Sequence, residues 1–356
     1  MKMDLHMNKI ALISCGRSDY NIYLPLIKKL NINPTIKLDI IAAGTHSMPE
    51  YGNTIEAFTN DGLEVKHIVD TISNNDSSQG IVKSMADTMS DFSTIWKNND
   101  YDLIFVLGDR YEMFAAVSST IPFNIPLAHL HGGETTLGAI DDKFRHAITA
   151  MSTYHFTSNE EHKQRVIDII GSDKHVHNVG ALSMEFINEL NLPTTHTNNI
   201  LFCYHPETVN LNNEDSINEI CDAVEQMDST FTILLPNNDT DHNVVRDTIK
   251  KRLKGGKYNI KTALTHIEYY TELANCKCML GNSSSGIYEA ASFGKYAINL
   301  GDRQKGRITG GNVIHCGINV DEIVEAYNKV GKWDGNNIYS KPNTSNKIIE
   351  VINGKY

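Results

Sequence analysis

The sequence predicts an α/β protein built from two doubly wound domains with parallel sheets. Three observations predict it. Apolar runs of strand length recur along the chain with helical stretches between them. A polar stretch at residues 188–199, containing Pro193, interrupts this alternation, which then starts again. The length of 356 residues exceeds what a single hydrophobic core usually organises.

The elements follow in order. Residues 9–14 read as a buried strand, and 21–30 as a helix with Leu24, Ile27 and Leu30 on one face. Residues 38–42 and 102–107 are the next strands, followed by a helix over 112–120. Residues 126–130 are a strand, 145–151 a helix and 154–157 a short strand. After the interruption, strands are expected at 200–204, 231–235, 276–280 and 296–300. Helices are expected at 216–227, 244–253, 269–274 and 287–293. The predicted division is a first domain over 1–187, a linker over 188–199 and a second domain over 200–356. Strand and helix alternation of this kind places ligands at the carboxyl ends of the strands.

Composition narrows the function classes. Hydrophobic residues make up 40% and charged residues 21%, as in ordinary globular proteins. The formal net charge of -11 argues against nucleic acid as a partner, since such binding rests on Lys and Arg meeting phosphates. It leaves room for a small anionic ligand held by a local Arg cluster. The six Cys lie mostly in apolar runs, where free thiols behave as core residues. The Cys276-Lys277-Cys278 pair lacks the second pair that a zinc site needs, so no metal is expected. Scattered thiols fit a reducing compartment. The apolar run 10–13 is too short for a signal-peptide core, and no stretch approaches a membrane span. The expectation is a cytoplasmic protein with no membrane partner.

One stretch stands out. Gly281-Asn282-Ser283-Ser284-Ser285-Gly286 joins a strand to a helical pattern. Such a turn aims free backbone N–H groups and Ser hydroxyls at an anion, and phosphate suits it. Plain helix capping is the alternative. Three other runs accompany it: Gly16-Arg17-Ser18-Asp19-Tyr20, Leu107-Gly108-Asp109-Arg110-Tyr111-Glu112 and His129-Leu130-His131-Gly132-Gly133-Glu134. With Gly301-Asp302-Arg303-Gln304-Lys305-Gly306-Arg307 they resemble the hydrolysing branch of the UDP-N-acetylglucosamine 2-epimerases, from about residue 10 to about residue 315.

The resemblance implies a GT-B-like fold: two Rossmann-like domains facing across a cleft, the first carrying catalytic carboxylates and the second binding UDP. It implies a UDP-sugar substrate, no cofactor, and assembly as a homodimer or homotetramer. The implied reaction turns UDP-N-acetylglucosamine, or its 2,4-diacetamido-2,4,6-trideoxy relative, and water into UDP and a free C2-inverted N-acetylhexosamine for sialic or legionaminic acid synthesis. A non-hydrolysing epimerase and a GT-B glycosyltransferase are the alternatives. Breaking the C2–H bond needs a base, and restoring a proton on the other face needs an acid.

The candidate catalytic residues are Asp109, at the end of a strand, Glu134, Asp141, His131 and His205. Helix capping is the plainer reading of Asp109 and Asp141, as is a structural role for His205. Arg17, Ser283, Ser284 and Arg303 are implied for the phosphates, Glu289 for the ribose diol, Tyr269 for the uracil and Arg145 for orienting the substrate. The chain departs from part of the family at His131, where relatives hold a catalytic Glu. Glu134, three residues on, is the nearest carboxylate and is expected to replace it. The Gly132-Gly133 pair gives the backbone the freedom to bring it inward. His131 as the acid or base is the other possibility.

Overall fold

The computed structural model describes residues 8–48, 54–72, 77–135, 137, 141–207, 212–236, 242–262 and 264–354. The chain divides into two compact units. Unit 1 comprises residues 1–135, 139–186 and 341–356, and unit 2 comprises 136–138 and 187–340.

Unit 1 begins with β1 (Asn8–Ser14), α1 (Arg17–Asn31), β2 (Ile36–Ala42), α2 (Glu56–Asn60), β3 (Val65–Ile68) and α3 (Ser78–Asn98). It continues with β4 (Leu103–Leu107), α4 (Tyr111–Thr120), β5 (Leu127–Leu130), α5 (Asp141–Met151), β6 (Tyr154–Thr157), α6 (Glu160–Ile170) and β7 (Val176–Asn178), and ends within α7 (Ser183–Leu190), whose second half belongs to unit 2. Unit 2 holds β8 (Asn199–Cys203), α8 (Asn213–Gln226), β9 (Thr230–Leu234), α9 (His242–Arg252), β10 (Tyr258–Lys261) and α10 (His266–Asn275). Then come β11 (Cys278–Gly281), α11 (Ser285–Tyr288), β12 (Tyr296–Leu300), β13 (Val313–Cys316) and α12 (Val320–Lys329). The last helix, α13 (Thr344–Ile352), returns to unit 1.

All strand pairs are parallel, in the orders β3-β2-β1-β4-β5-β6-β7 and β10-β9-β8-β11-β12-β13. The central strand β1 shows why the first sheet is covered on both faces. Ile10 and Leu12 pack with Tyr23, Leu26 and Ile27 of α1 in one core. Ala11 and Ile13 point the other way, into a second core with Phe92 and Trp96 of α3 and Val117 of α4. A strand buried on both faces reads as a continuous apolar run rather than an alternating one. In unit 2, Ile200 and Phe202 of β8 pack with Ile217, Ile220 and Val224 of α8.

In each sheet the strand order reverses at one point, between β1 and β4 in unit 1 and between β8 and β11 in unit 2. Loops leaving the two strands at such a point diverge to opposite faces and open a ligand crevice at the carboxyl edge.

Several elements depart from the predicted ones. Helix α1 starts at Arg17, not 21, because Asp19 Oδ2 accepts the Cys15 N–H at 2.9 Å and closes the turn directly after β1. Helix α5 starts at Asp141, four residues before the predicted 145. The helix expected over 287–293 is a four-residue helix, α11, and a 3-10 turn (Ala290–Phe293), with the break at Glu289. There the Glu289 side chain is drawn back by Ser285 and Tyr270. Helix α3 has no predicted counterpart; its buried stripe includes the polar Ser84 and Thr88 beside Phe92 and Trp96. Helix α13 lies within the predicted second domain, 200–356, yet its Ile348 and Val351 are in the α1 core of unit 1. Ser345 adds N–H and hydroxyl donors to Glu185 Oε2. Its amphipathic face fits either unit by sequence pattern alone, and the apolar surface of α1 is what receives it.

Ile348 is fully buried in that core. Ile348→Ala is expected to destabilise unit 1 by about 2–5 kcal/mol, the usual range for such a truncation. Urea unfolding followed by Trp96 fluorescence in a Trp333→Phe background reads this unit separately. A midpoint shift confined to unit 2 would contradict the assignment of α13.

Candidate functional site

In unit 1, the polar residues gather at the carboxyl ends of β1, β4 and β5 and on the first turns of α1 and α5. Asp109 follows β4 after Gly108. His131 and Glu134 follow β5, and Asp141, Asp142 and Arg145 lie on α5.

Arg145 organises the group. It is only 5% exposed. Its Nη2 pairs with Asp109 Oδ2. Its Nη1 donates to the His131 carbonyl at 3.0 Å and stands 3.6 Å from Glu134 Oε2. Its Nε is 3.9 Å from Asp142 Oδ1, one helical turn earlier. A cation this deeply buried persists only where carboxylates answer it.

Glu134 is brought inward as expected. Gly133 has φ +79, and a Cβ there would meet the His162 carbonyl oxygen at 2.3 Å, so only glycine makes this turn. His131 also has positive φ, at 62. The Glu134 carboxylate accepts from His131 Nδ1 at 2.6 Å and from the Ser158 hydroxyl at 3.1 Å. Ser158 in turn meets His162 Nδ1 at 2.8 Å. Burial pushes the Glu134 carboxyl upward. The His131 ring, Arg145 and His162 outweigh that and hold it well below the usual range. Asp141 moves the opposite way, raised by burial and by the charge of Asp109.

His129 has a different part. It is fully buried, its Nε2 donates to the Gly108 carbonyl at 2.9 Å, and burial pushes its pKa down to about 3. It is a neutral strut beneath the Gly108-Asp109 turn. Arg17 stands exposed on the first turn of α1, with no contact to the Arg145 group among the described bonds.

Two residues of unit 1 escape a sequence reading. Ser158, at the end of β6, carries no motif. Arg110, beside Asp109 in its run, reads from sequence as no more than a structural ion-pair partner. A Cβ placed on Gly16 would lie 3.7 Å from its Nη2, so its guanidinium reaches across to the β1 turn. It is held there beside buried Glu112, 3.8 Å from Oε1. Arg110 and Arg17 thus flank one switch point, a signal that only strand order reveals.

In unit 2 the predicted residues form two bonded groups. Asn282, fully buried, joins the first. Its Oδ1 accepts the His205 N–H at 2.7 Å, and its Nδ2 donates to the His205 carbonyl at 2.8 Å. Its own carbonyl accepts from Arg303 Nη1 at 3.2 Å. Ser285 joins the second group, receiving the Tyr269 hydroxyl at 2.5 Å and donating to Glu289, which also accepts from Tyr270 at 3.3 Å. Burial raises the Glu289 carboxyl. Between the groups lie Ser283 and Ser284, partly exposed. Gly281, at φ +135, brings the turn so near β8 that a Cβ would meet the Cys203 carbonyl oxygen at 1.9 Å. Glu207 fixes the loop after β12, its Oε1 accepting the N–H groups of Asp302 at 2.8 Å and Arg303 at 3.2 Å. Asn282 and Glu207 are the residues that sequence reasoning missed here, although Asn282 lies inside the motif that drew attention.

Among the described residues, no group of three or more His, Cys, Asp or Glu is arranged to hold a metal ion, and no helix is long and apolar enough to cross a membrane. Two parallel α/β sheets, each gathering polar groups at its switch point, place the chain in the GT-B-like class of paired Rossmann-like domains. Within that class it belongs to the UDP-N-acetylglucosamine 2-epimerase family, whose model matches residues 28–353.

The chain is 34% identical over 335 residues to a polysialic acid biosynthesis protein P7 of Escherichia coli, covering 90% of this chain and 86% of that protein. It is 31% identical to a hydrolysing UDP-N,N'-diacetylbacillosamine 2-epimerase of Legionella pneumophila, covering 97% and 96% of the two chains. The crystal structure of UDP-GlcNAc 2-epimerase from Neisseria meningitidis, bound to UDP-GlcNAc, shares the fold with a TM-score of 0.79 at 16% identity, covering 97% of this chain and 100% of that one.

Removing the Glu134 charge tests the electrostatic account. Glu134→Gln is expected to lose about 1.5–3 kcal/mol of stability at pH 7, the scale of a charged hydrogen bond. The folded carboxyl lies below its unfolded value, so its contribution is full above about pH 4.5 and fades as pH falls toward the folded pKa. Denaturant curves at pH 7 and at acid pH should show the gap between wild type and variant narrowing. A gap that stays constant would remove Glu134 from the charge balance.

Proposed function

We propose that the protein is a hydrolysing UDP-N-acetylhexosamine 2-epimerase. It takes UDP-N-acetylglucosamine, or the 2,4-diacetamido-2,4,6-trideoxy sugar nucleotide, and water. It releases UDP and the free C2-inverted N-acetylhexosamine, for sialic- or legionaminic-type products. The observation that carries this reading is the convergence of Asp109, Glu134 and His131 on buried Arg145, with Asp141 beside them. The hydrolysing 2-epimerase relative from Legionella supports the same chemistry.

The reaction has two stages. In the elimination a base takes the C2 proton while the C1–O bond to the diphosphate breaks, leaving a C1=C2 double bond. In the hydration a water oxygen bonds to C1 and a proton reaches C2 on the opposite face. We assign Asp109, paired with Arg145, as the base. Asp141, whose carboxyl is raised, is assigned as the acid that returns a proton to C2. The water is assigned to His131. Glu134 has its oxygens engaged by His131, Arg145 and Ser158 and its proton affinity lowered. That suits it to orient and charge-balance the His131 ring rather than to carry the proton itself, which reverses the expected order of the two.

On the nucleotide side, Ser283 and Ser284 are assigned to phosphate oxygens, and Arg17 and Arg303 to the charge that grows on the leaving diphosphate. Glu289 is assigned to the ribose, Tyr269 to the uracil, and His205, held by Asn282, to the reacting side of the nucleotide sugar. No cofactor enters this scheme. Assembly as a homodimer or homotetramer and a cytoplasmic location belong to the same reading, and light scattering measures the former.

Isotopes test the route. Proton NMR in deuterium oxide should show free sugar with inverted C2 carrying deuterium there, and oxygen-18 from water should appear at C1. Oxygen-18 found in UDP would mean attack at phosphorus and would exclude elimination.

Two variants test the roles. Asp109→Asn should lower kcat by roughly a hundredfold or more, the scale of an acid–base group, with UDP affinity kept. His131→Asn should lose at least as much rate as Glu134→Gln. A His131 variant that turns over normally beside a dead Glu134 variant would return the proton to Glu134.

A further inference from the structure

The loop after β12 carries a residue that the assignments above leave without a task. Gln304 is 3% exposed. Its Nε2 donates to the Asn282 carbonyl at 2.7 Å, the same oxygen that Arg303 reaches. That bond fixes the amide, because half a turn would set Oε1 against a carbonyl oxygen. The amide oxygen is therefore the atom left over from that bond. Among the described residues no donor reaches it. A buried acceptor without a donor is unfavourable, and proteins keep few of them.

Gln304 also lines a groove of about 750 Å3 within unit 2. Glu207, Ser216, Asn299, Arg307 and His315 share that lining. Much of it is already engaged: Glu207 takes the loop N–H groups, and Asn299 Nδ2 meets His315 Nδ1 at 3.2 Å. The volume is of small-ligand size, and the walls are polar. They suit a hydroxyl-rich group rather than an apolar one. Through Gln304 the groove adjoins Asn282, the residue next to Ser283 and Ser284. A group attached to a phosphate on that turn has a polar recess one side chain away.

We propose that Gln304 Oε1 accepts a hydrogen bond from the hexosamine half of the nucleotide sugar, from a ring hydroxyl or an acetamido N–H, and so determines which sugar is taken. This rests on the substrate reading given above. A site built to pair with a particular donor discriminates strongly against a sugar that lacks it, because the acceptor is then left buried and alone. The sugars under consideration differ in such donors, with a hydroxyl or an acetamido group at C4 and a hydroxyl or none at C6.

Calorimetry in an Asp109→Asn background, which slows turnover of the sugar, tests this. Gln304→Met conserves volume and removes the acceptor. It should weaken binding of the preferred UDP-hexosamine about tenfold or more while UDP alone changes by less than about twofold. Equal losses for both ligands would make Gln304 a mere support of the phosphate turn and overturn the proposal, as would no loss for either. A second arm needs no variant: UDP-sugars with one hydroxyl replaced by hydrogen, or with the acetamide N-methylated, are titrated into the Gln304 protein. One of them should bind about tenfold or more weakly, and that difference should vanish in Gln304→Met. A series that binds uniformly overturns the proposal even if the Met variant fails to fold. Failure of the substrate reading looks different, since the protein would then bind UDP but gain nothing from any attached sugar.

Discussion

Arg145 is a buried cation, and the arrangement of the first unit follows from the need to answer its charge. Its guanidinium meets Asp109, the His131 carbonyl, Glu134 and Asp142. Those groups come from three separate stretches, the ends of β4 and β5 and the first turn of α5. A carboxylate removed from that set leaves the cation undercompensated in a poorly solvated place, where the penalty is several times that of a surface pair. The same contact therefore does two jobs. It fixes the loops relative to one another, and it lowers the proton affinity of Glu134.

Unit 2 fixes its phosphate turn chiefly through a side-chain amide. Asn282 bonds both ways with the backbone of His205 and presents its own carbonyl to Arg303 and Gln304. An amide carries a donor and an acceptor at fixed separation, so it can clamp a peptide unit that a carboxylate or an ammonium could hold from only one side. Glu207 adds a second clamp on the loop after β12. Close backbone approach at Gly281 makes the clamp possible, just as Gly133 admits Glu134 in unit 1.

Both units place these clamps beside a reversal of strand order, β1 against β4 and β8 against β11. At that point, successive crossover connections go to opposite faces, and the loops part. The consequence is that groups distant in sequence, such as Gly16 and Arg110, or His205 and Asn282, become neighbours. The sheet supplies a rigid edge, and the loops supply the chemistry.

Much of this was legible from the residues. Strands buried on both faces gave themselves away as unbroken apolar runs, and the predicted strands 9–14, 154–157 and 296–300 match β1, β6 and β12 to within a residue. Motif runs drew attention to Asp109, Glu134 and Ser283 through a family resemblance, with helix capping as the plainer reading of the turns before a helix. What sequence alone left open depended on partners far along the chain. It could not show that Glu134 meets Arg145 and Ser158, or that the His131 ring, Arg145 and His162 hold its carboxyl low. It missed α3, whose buried stripe is partly polar, and gave α13 to the wrong unit, because an amphipathic helix does not state which apolar surface it covers. Local patterns determine which elements form and where the backbone turns. Only packing decides which charges meet, and the strength of a buried charge depends on everything around it.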